Sequence, residues 1–241
     1  QTVYGKKYYL GNANDGAMKT GWQTVDGKKY YLGNAGDGAM KTGWQTVDGK
    51  KYYLGNDGAM KTYWQSVDGK YYWFGTDGVM KTYWQKVYNK YYWLGNDGAM
   101  RTGWQRVYNK YYWLGSSNDG AMKTGWQKVY GKYYWLGHSN DGAMKTGWQT
   151  VYGKKYYLGG ANDGAMKTGW QKIDGYWYYF GGASDGSLKT DTWINEYGVY
   201  VGTDGKWNDT KYRYSNGEYL SELSIMNNSK DYNNAQLMFW H

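Results

Sequence analysis

The sequence predicts an all-β fold, a β-hairpin solenoid of about 20–22-residue repeats that ends in an atypical C-terminal cap. The block GAMKTGW occurs unchanged or nearly so eight times, at residues 16–22, 38–44, 58–64, 78–84, 98–104, 120–126, 142–148 and 164–170. The Trp that ends each block recurs every 20 or 22 residues. Each Trp is followed by two short runs of sheet-favouring residues that are separated by turn residues.

Each repeat is expected to form one hairpin, as the copy beginning at Trp44 illustrates. WQTV predicts the outgoing strand, Asp48-Gly49 a two-residue turn, and KKYYL the returning strand. The second turn residue is Gly or Asn in every copy, and both accept a positive φ. Several copies carry Tyr at the first turn position, where it fits a type I′ turn poorly, so the turn type of those copies is left open.

Counting outward from a two-residue turn predicts the register of the hairpin. The opposing pairs are Val47 with Lys50, Gln45 with Tyr52, and Trp44 with Tyr53. Side chains alternate between the two faces of a strand, so Val47, Tyr52 and Leu54 share one face. A lone hairpin is marginally stable in water, and we expect this face to form the core where successive hairpins stack.

The segments between hairpins are predicted to be exposed loops. Copies of different length differ between a Gly and the following Asp-Gly, and insertions are tolerated in exposed loops. Of the 17 Asp residues, 14 are followed directly by Gly. Most acidic residues are therefore expected to form turns, which argues against a catalytic role for them.

The domain prediction places the hairpin repeats in residues 1–190, with a degenerate repeat and a C-terminal capping hairpin in residues 191–241. Past residue 190, the sequence around Trp193 is a degenerate copy of the repeat. A further hairpin is expected to turn at Asn216-Gly217. The chain opens on QTVYGKKYYL, which matches the middle of a repeat. Residue 1 is therefore expected to be a processing site or a chosen boundary, with more protein upstream.

Composition favours a binding protein over an enzyme. The formal charge is +9, which fits a polyanionic partner or a solvated lysine face, and Cys is absent. The two His residues, His138 and His241, have no catalytic partner by spacing, and no cofactor or zinc motif occurs. One Asp per loop is too few oxygen ligands for calcium. No apolar run is long enough for a membrane span, and a nucleic-acid partner is not favoured because hairpin repeats are not among its usual readers.

GAMKTGWQ followed by GKKYYL or GYWYYF resembles the cell-wall-binding repeats of Gram-positive surface proteins. Choline-binding modules are the best known of these, and glucan-binding repeats and the repeats of glucosylating toxins are related. The resemblance implies a secreted or wall-associated, non-catalytic module that binds choline-bearing teichoic acid or a surface glycan between successive hairpins. Self-association is left open.

The resemblance also implies which side chains form a ligand cage. In choline-binding repeats the cage contains the repeat Trp and the residue seven positions later, which is called position 7 here because the Trp counts as zero. An aromatic residue of the next hairpin and an apolar residue complete the cage, and the sequence does not identify which residues these are. The predicted pairs are Trp64 with Tyr71, Trp84 with Tyr91, Trp104 with Tyr111, Trp126 with Tyr133, and Trp170 with Trp177. Aromatic faces attract a quaternary ammonium by roughly 0.5–2 kcal/mol per ring.

Outer copies depart from this pattern. Position 7 is Lys in three of them, at Lys29, Lys51 and Lys155. An ammonium in the cage wall would repel choline, so these copies are expected to prefer sugars, whose ring faces stack on aromatics and whose hydroxyls bond Lys and Gln. The alternative is a structural stalk or filament component in which the aromatic residues only pack between repeats. The Met residues are expected to fill gaps in that packing.

Overall fold

A computed structural model of the chain describes residues 1–11, 16–194, 199–213 and 219–220, with side chains as far as residue 207. Every regular element in these ranges is a β-strand, which confirms the all-β prediction. The chain divides into two compact units, residues 1–123 and 124–241. Each unit is built from successive antiparallel hairpins.

Strands in the first unit pair in chain order, each odd-numbered strand with the next even-numbered one. They are β1 (Thr2–Val3), β2 (Lys6–Lys7), β3 (Trp22–Val25), β4 (Lys28–Tyr31), β5 (Gly43–Val47), β6 (Lys50–Leu54), β7 (Tyr63–Val67), β8 (Lys70–Phe74), β9 (Tyr83–Val87), β10 (Lys90–Leu94), β11 (Trp104–Val107) and β12 (Lys110–Trp113).

The second unit contains three further hairpins and a four-stranded sheet. The hairpin strands are β13 (Trp126–Val129), β14 (Lys132–Trp135), β15 (Gly147–Val151), β16 (Lys154–Leu158), β17 (Gly169–Ile173) and β18 (Tyr176–Phe180). The sheet has the order β19 (Thr192–Ile194), β20 (Val199–Val201), β21 (Trp207–Arg213) and β22 (Tyr219–Leu220).

The predicted register is confirmed. In the hairpin β5–β6, Trp44 lies opposite Tyr53, and Gln45 and Val47 face the predicted partners. The turn is also uniform among copies. Asp48 and Gly49 have φ of 50° and 73°, and Tyr88 and Asn89 have 47° and 63°. Positive φ at both central residues is the signature of a type I′ turn, so the copies with Tyr keep the turn that the copies with Asp use.

The predicted core face is confirmed as well. Val47 is buried, and Leu54 and Leu94 are fully buried. Val67, Tyr72, Phe74 and Ala99 form one buried cluster in the first unit, against which Tyr53 and Met80 pack. The core is thus made where a hairpin meets its neighbours in the stack.

Each loop joins two levels of the stack through the backbone. Met80 N–H donates to the carbonyl of Lys51 at 2.8 Å, and Met100 N–H donates in the same way to Tyr71. The Met80 side chain reaches the loop of the following repeat, where a Cβ on Gly98 would lie 2.3 Å from its sulfur. A loop is therefore bonded to the hairpin one level back, and its Met fills the space beside the next loop.

The C-terminal part is only partly described. Trp193 lies opposite Tyr200, seven residues later, whereas the repeat Trp of a regular hairpin such as Trp44 lies opposite the residue nine positions later. The hairpin expected at Asn216-Gly217 lies outside the described residues. The division of the chain at residue 190 stays a prediction.

Candidate functional site

A cavity of about 250 Å³ lies between two successive hairpins of the first unit. Its lining residues are Trp44, Gln45, Thr46, Lys51, Tyr72, Met80 and Asp97. Trp44 and Lys51 come from one hairpin, Tyr72 from the next, and Met80 and Asp97 from the two loops that follow it. Since drug-sized ligands occupy roughly 300–1,000 Å³, this cavity suits a small head group or a single ring.

Two rings contact the repeat Trp on either side of the hairpin boundary. Trp44 lies 5.2 Å from Tyr53 of its own hairpin and 4.9 Å from Tyr72 of the next, measured between ring centroids. The Trp44 and Tyr72 planes meet at 72°. The Trp44 and Tyr72 rings line the cavity from two adjacent hairpins. The residue at position 7, Lys51, lines the same cavity.

The middle copies have the same architecture with Tyr in place of Lys at position 7. Trp64 lies 5.0 Å from Tyr92, and Trp84 lies 5.1 Å from Tyr112. The carbonyl of Tyr71 accepts the same loop hydrogen bond as that of Lys51. Tyr71 therefore holds the position in its hairpin that Lys51 holds in the earlier copy.

The second unit repeats the arrangement. A cavity of about 270 Å³ is lined by Trp148, Gln149, Thr150, Lys155, Tyr178, Leu188 and Asp204. Trp126 contacts Tyr156 at 5.0 Å, and Tyr133 holds position 7 of that copy. The same cavity thus forms independently in both units.

The two remaining predicted pairs show contacts of the same kinds as the other copies. Trp104 lies 5.4 Å from Trp113 of its own hairpin, and the Arg106 guanidinium lies 5.7 Å from the ring of Tyr111. Trp170 packs against the buried cluster of Ile194, Val199 and Val201. The Lys172 ammonium lies 5.9 Å from the ring of Trp177.

Sequence reasoning did not identify the Tyr at position 8 as a cage residue. Tyr52 was assigned to the core face, and the aromatic from the next hairpin was left unassigned. Position 8 is Tyr in all eight repeats, although positions 7 and 9 vary. That constancy inside one chain was the available signal for Tyr72, Tyr92 and their equivalents.

An ionised carboxylate lies at the wall of the first cavity. Burial raises the pKa of the Tyr72 hydroxyl, and the nearby Asp97 carboxylate raises it further. For Asp97, burial is the largest influence and raises the pKa. The hydrogen bond from Ala99 N–H and the Arg101 guanidinium outweigh it, so the pKa of Asp97 ends below its usual value. Asp97 is therefore charged at neutral pH, although Arg101, 2.9 Å away, partly neutralises it.

Lysine side chains lie over aromatic rings in several copies, and in one of them the lysine is the position 7 residue itself. The Lys29 ammonium lies 5.1 Å from the centroid of the Trp22 ring. In the middle copies, the Lys86 and Lys128 ammonium groups lie 5.4 Å from the rings of Tyr91 and Tyr133. These aromatic faces thus accept positive charge, and in the first repeat the Lys itself covers the Trp that a ligand would need.

Two negative findings apply to the described part of the chain. Those residues form no helix that could cross a membrane. They also contain no cluster of three or more His, Cys, Asp or Glu side chains that could hold a metal ion.

Known proteins share this repeat and this fold. A model of the choline-binding repeat matches residues 145–193, and a model of a cell wall binding repeat matches residues 20–40, 42–60, 62–80 and 82–100. No match was found among curated protein sequences.

Solved structures from Streptococcus pneumoniae are similar over most of the chain. Choline-binding protein F is 31% identical, with a TM-score of 0.65, over 86% of this chain and 91% of that one. Its complex with ipratropium gives 34% identity and a TM-score of 0.68 over 85% and 76%. CbpJ gives 27% identity and a TM-score of 0.68 over 86% and 92%. The chain therefore belongs to the family of choline-binding, cell-wall-binding repeat proteins.

Proposed function

We propose that this chain is a secreted or wall-associated binding module that holds choline-bearing wall polymer, without catalysing a reaction. The proposed binding sites lie at the hairpin boundaries whose position 7 is aromatic, typified by Trp64, Tyr71 and Tyr92. The observation that carries the proposal is the placement of a Trp and a Tyr at 5.0 Å and 67° across the boundary between two hairpins. Tyr71 holds the third wall of that site.

The chemistry of the walls fits a quaternary ammonium. Each aromatic face contributes roughly 0.5–2 kcal/mol to holding a cation, so two or three rings give a weak site. Repetition along the chain compensates, because a polymer that carries many choline groups engages several weak sites at once. The loop carboxylate near the position 8 Tyr, such as Asp119 near Tyr92, adds a favourable charge.

Related proteins support the wall as the place of action. The matching repeat models describe choline-binding and cell wall binding repeats. Choline-binding protein F of Streptococcus pneumoniae was crystallised in the presence of a peptidoglycan analogue, a tetrasaccharide-pentapeptide. By analogy, the partner of this chain is a polymer of the cell wall.

The test is a choline titration followed by tryptophan fluorescence and by calorimetry. In the double variant Tyr71→Lys, Tyr91→Lys, we expect two choline sites to be lost, because each new ammonium repels choline and removes a ring. The melting temperature should change little, since the copies with Lys51 and Lys155 already fold. Full choline binding by the double variant would contradict the proposal.

The structural alternative has one observation in its favour. The Trp126 and Trp170 rings each pack against a buried apolar cluster, which is what a purely structural aromatic would do. If the aromatics only pack, choline should leave the fluorescence of the wild-type chain unchanged. The double variant should then lose many degrees of melting temperature instead of losing ligand.

A further inference from the structure

A pair of positions on different hairpins varies together inside this chain. One is position 9 of a repeat, and the other is the first turn residue of the next hairpin. Where position 9 is Trp, the turn carries Tyr: Trp73 with Tyr88, Trp93 with Tyr108, Trp113 with Tyr130, and Trp135 with Tyr152. Where position 9 is Tyr and a regular repeat follows, the turn carries Asp: Tyr9 with Asp26, Tyr31 with Asp48, Tyr53 with Asp68, and Tyr157 with Asp174. The exception is Tyr179, which precedes the degenerate copy at Trp193, where Tyr197 stands four residues after the Trp.

In the first unit these paired residues form aromatic corners. The Trp73 and Tyr88 rings lie 6.1 Å apart at 79°, and Trp93 and Tyr108 lie 5.9 Å apart at 80°. A third ring tilts towards each Trp, since Tyr63 lies 5.7 Å from Trp73 at 52°. Each corner thus has a Trp base and two Tyr walls from adjacent hairpins.

The turn tyrosines are poorly explained by packing. Tyr88 and Tyr108 are 79% and 77% exposed, so their burial contributes little to stability. They also have φ of 47° and 48°, a backbone conformation that bulky residues rarely adopt and that Asp tolerates better. Non-glycine residues held in a left-handed backbone conformation cluster at active sites and ligand clamps.

The corners are distinct from the choline cavities. A cavity uses position 7 and the position 8 Tyr of the next hairpin, as Tyr71 and Tyr92 do. A corner uses position 9, the residue before the repeat Trp and the next turn, as Trp73, Tyr63 and Tyr88 do. The two kinds of site therefore use different side chains, although the corner base Trp73 lies 5.3 Å from Trp64, the repeat Trp of its own hairpin.

We propose that the corners Tyr63–Trp73–Tyr88 and Tyr83–Trp93–Tyr108 are a second class of binding site, which takes the sugar rings of a wall glycan. The apolar face of a sugar ring stacks on an indole, and the phenol groups of the walls offer hydrogen bonds to its hydroxyls. The inference is independent of the choline proposal, because it concerns different side chains and a different ligand.

Charge separates this ligand from choline. Copies without the corner carry a carboxylate at the turn, for example Asp68 beside Tyr53 in the sequence pairing. In the copies that have the corner, the neutral phenol of a Tyr stands in place of that carboxylate. A site for a quaternary ammonium would keep the negative charge, whereas a neutral sugar does not need it.

The corner at Trp135 supplies an internal control. There the His138 ring lies 5.2 Å from Trp135 at 83°, and Tyr152 lies 5.8 Å away. Trp135 is only 3% exposed, in contrast to the half-buried Trp73 and Trp93. Because the base of this corner is covered, we expect it to bind no sugar.

The experiment titrates the wild-type chain, already saturated with choline, with chitotetraose, isomaltotetraose and soluble peptidoglycan fragments. Binding is followed by tryptophan fluorescence and calorimetry. The double variant Tyr88→Asp, Tyr108→Asp introduces the first turn residue of the copies at Asp48 and Asp68 and keeps Asn as the second, so it should fold. We expect it to bind the best saccharide at least tenfold more weakly and to bind choline unchanged.

The matched control is Tyr152→Asp, at the covered corner, which should leave saccharide binding unchanged. Three results would overturn the inference: no saccharide of the panel binding the wild type, equal saccharide affinity in the double variant, or choline competing with the saccharide for one site. Failure of the choline proposal would appear separately, as a wild-type chain that does not respond to choline alone.

Discussion

The copies beginning at Trp44 and Trp84, both in the first unit, have the same frame and different surfaces. Each repeat Trp lies opposite position 9 in the same register, and each hairpin buries its last residue, Leu54 or Leu94, completely. Around that frame the walls change. Position 7 is Lys51 in one copy and Tyr91 in the other.

The difference teaches that frame and ligand face are encoded at separate positions. The frame depends on backbone pairing, on the conformation of the turn and on residues such as Leu54, and none of these changes between the copies. The position 7 side chain lies on the opposite face of the hairpin from Leu54, where a substitution disturbs neither the backbone ladder nor the core. One fold can therefore present a cationic wall in one repeat and an aromatic wall in another.

The largest expected effect tests the shared frame. Replacing Leu54 or Leu94 with Ala should each lower the free energy of unfolding by about 2–5 kcal/mol, because both side chains are fully buried. The two losses should agree within about 1 kcal/mol, a spread well below the range for unrelated sites. Denaturant unfolding followed by circular dichroism measures both, and a large disagreement would show that the copies do not share one frame.

A smaller effect tests the difference between the copies. Lys51→Tyr should give the Trp44 cavity the walls of a middle copy, and one choline site should be added. A gained ring contributes roughly 0.5–2 kcal/mol, which corresponds to an affinity gain of about 2- to 30-fold in that cavity. Calorimetric stoichiometry is the measurement, with Lys51→Met as a control that removes the charge without adding a ring. An unchanged site count in Lys51→Tyr would mean that position 7 does not select the ligand.

The smallest effect concerns the loops that both kinds of copy possess. The hydrogen bond from the Lys189 ammonium is the main reason that the pKa of Asp185 falls to about 2, against an ordinary value of 3.8. Because the folded pKa is depressed, this stabilisation is complete above about pH 4 and is lost as the pH falls towards 2. Thermal melts between pH 5 and 2 should show a decline that is a few degrees smaller in Asp185→Asn. Identical acid profiles would exclude Asp185 as a contributor.

Much of the frame was predictable because it rests on local chemistry. The strand pairing around Asp48-Gly49 follows from a two-residue turn, and the burial of Val47 and Leu54 follows from side-chain alternation. The turn at Tyr88 could not be decided in the same way, since Tyr disfavours the conformation that its copy adopts. There the hydrogen-bonded pairing of the two strands and the positive φ of Asn89 outweigh the conformational preference of Tyr88.

By itself the sequence determined the repeat length, the hairpin register, the core face and the contrast between Lys and Tyr at position 7. Only the tertiary structure decided which rings meet across hairpins, such as Trp44 with Tyr72 and Trp73 with Tyr88. The physical reason is that a repeat period states how far apart equivalent residues lie along the chain, and says nothing of the offset between stacked hairpins. Long-range backbone bonds, such as that from Met80 to Lys51, set this offset.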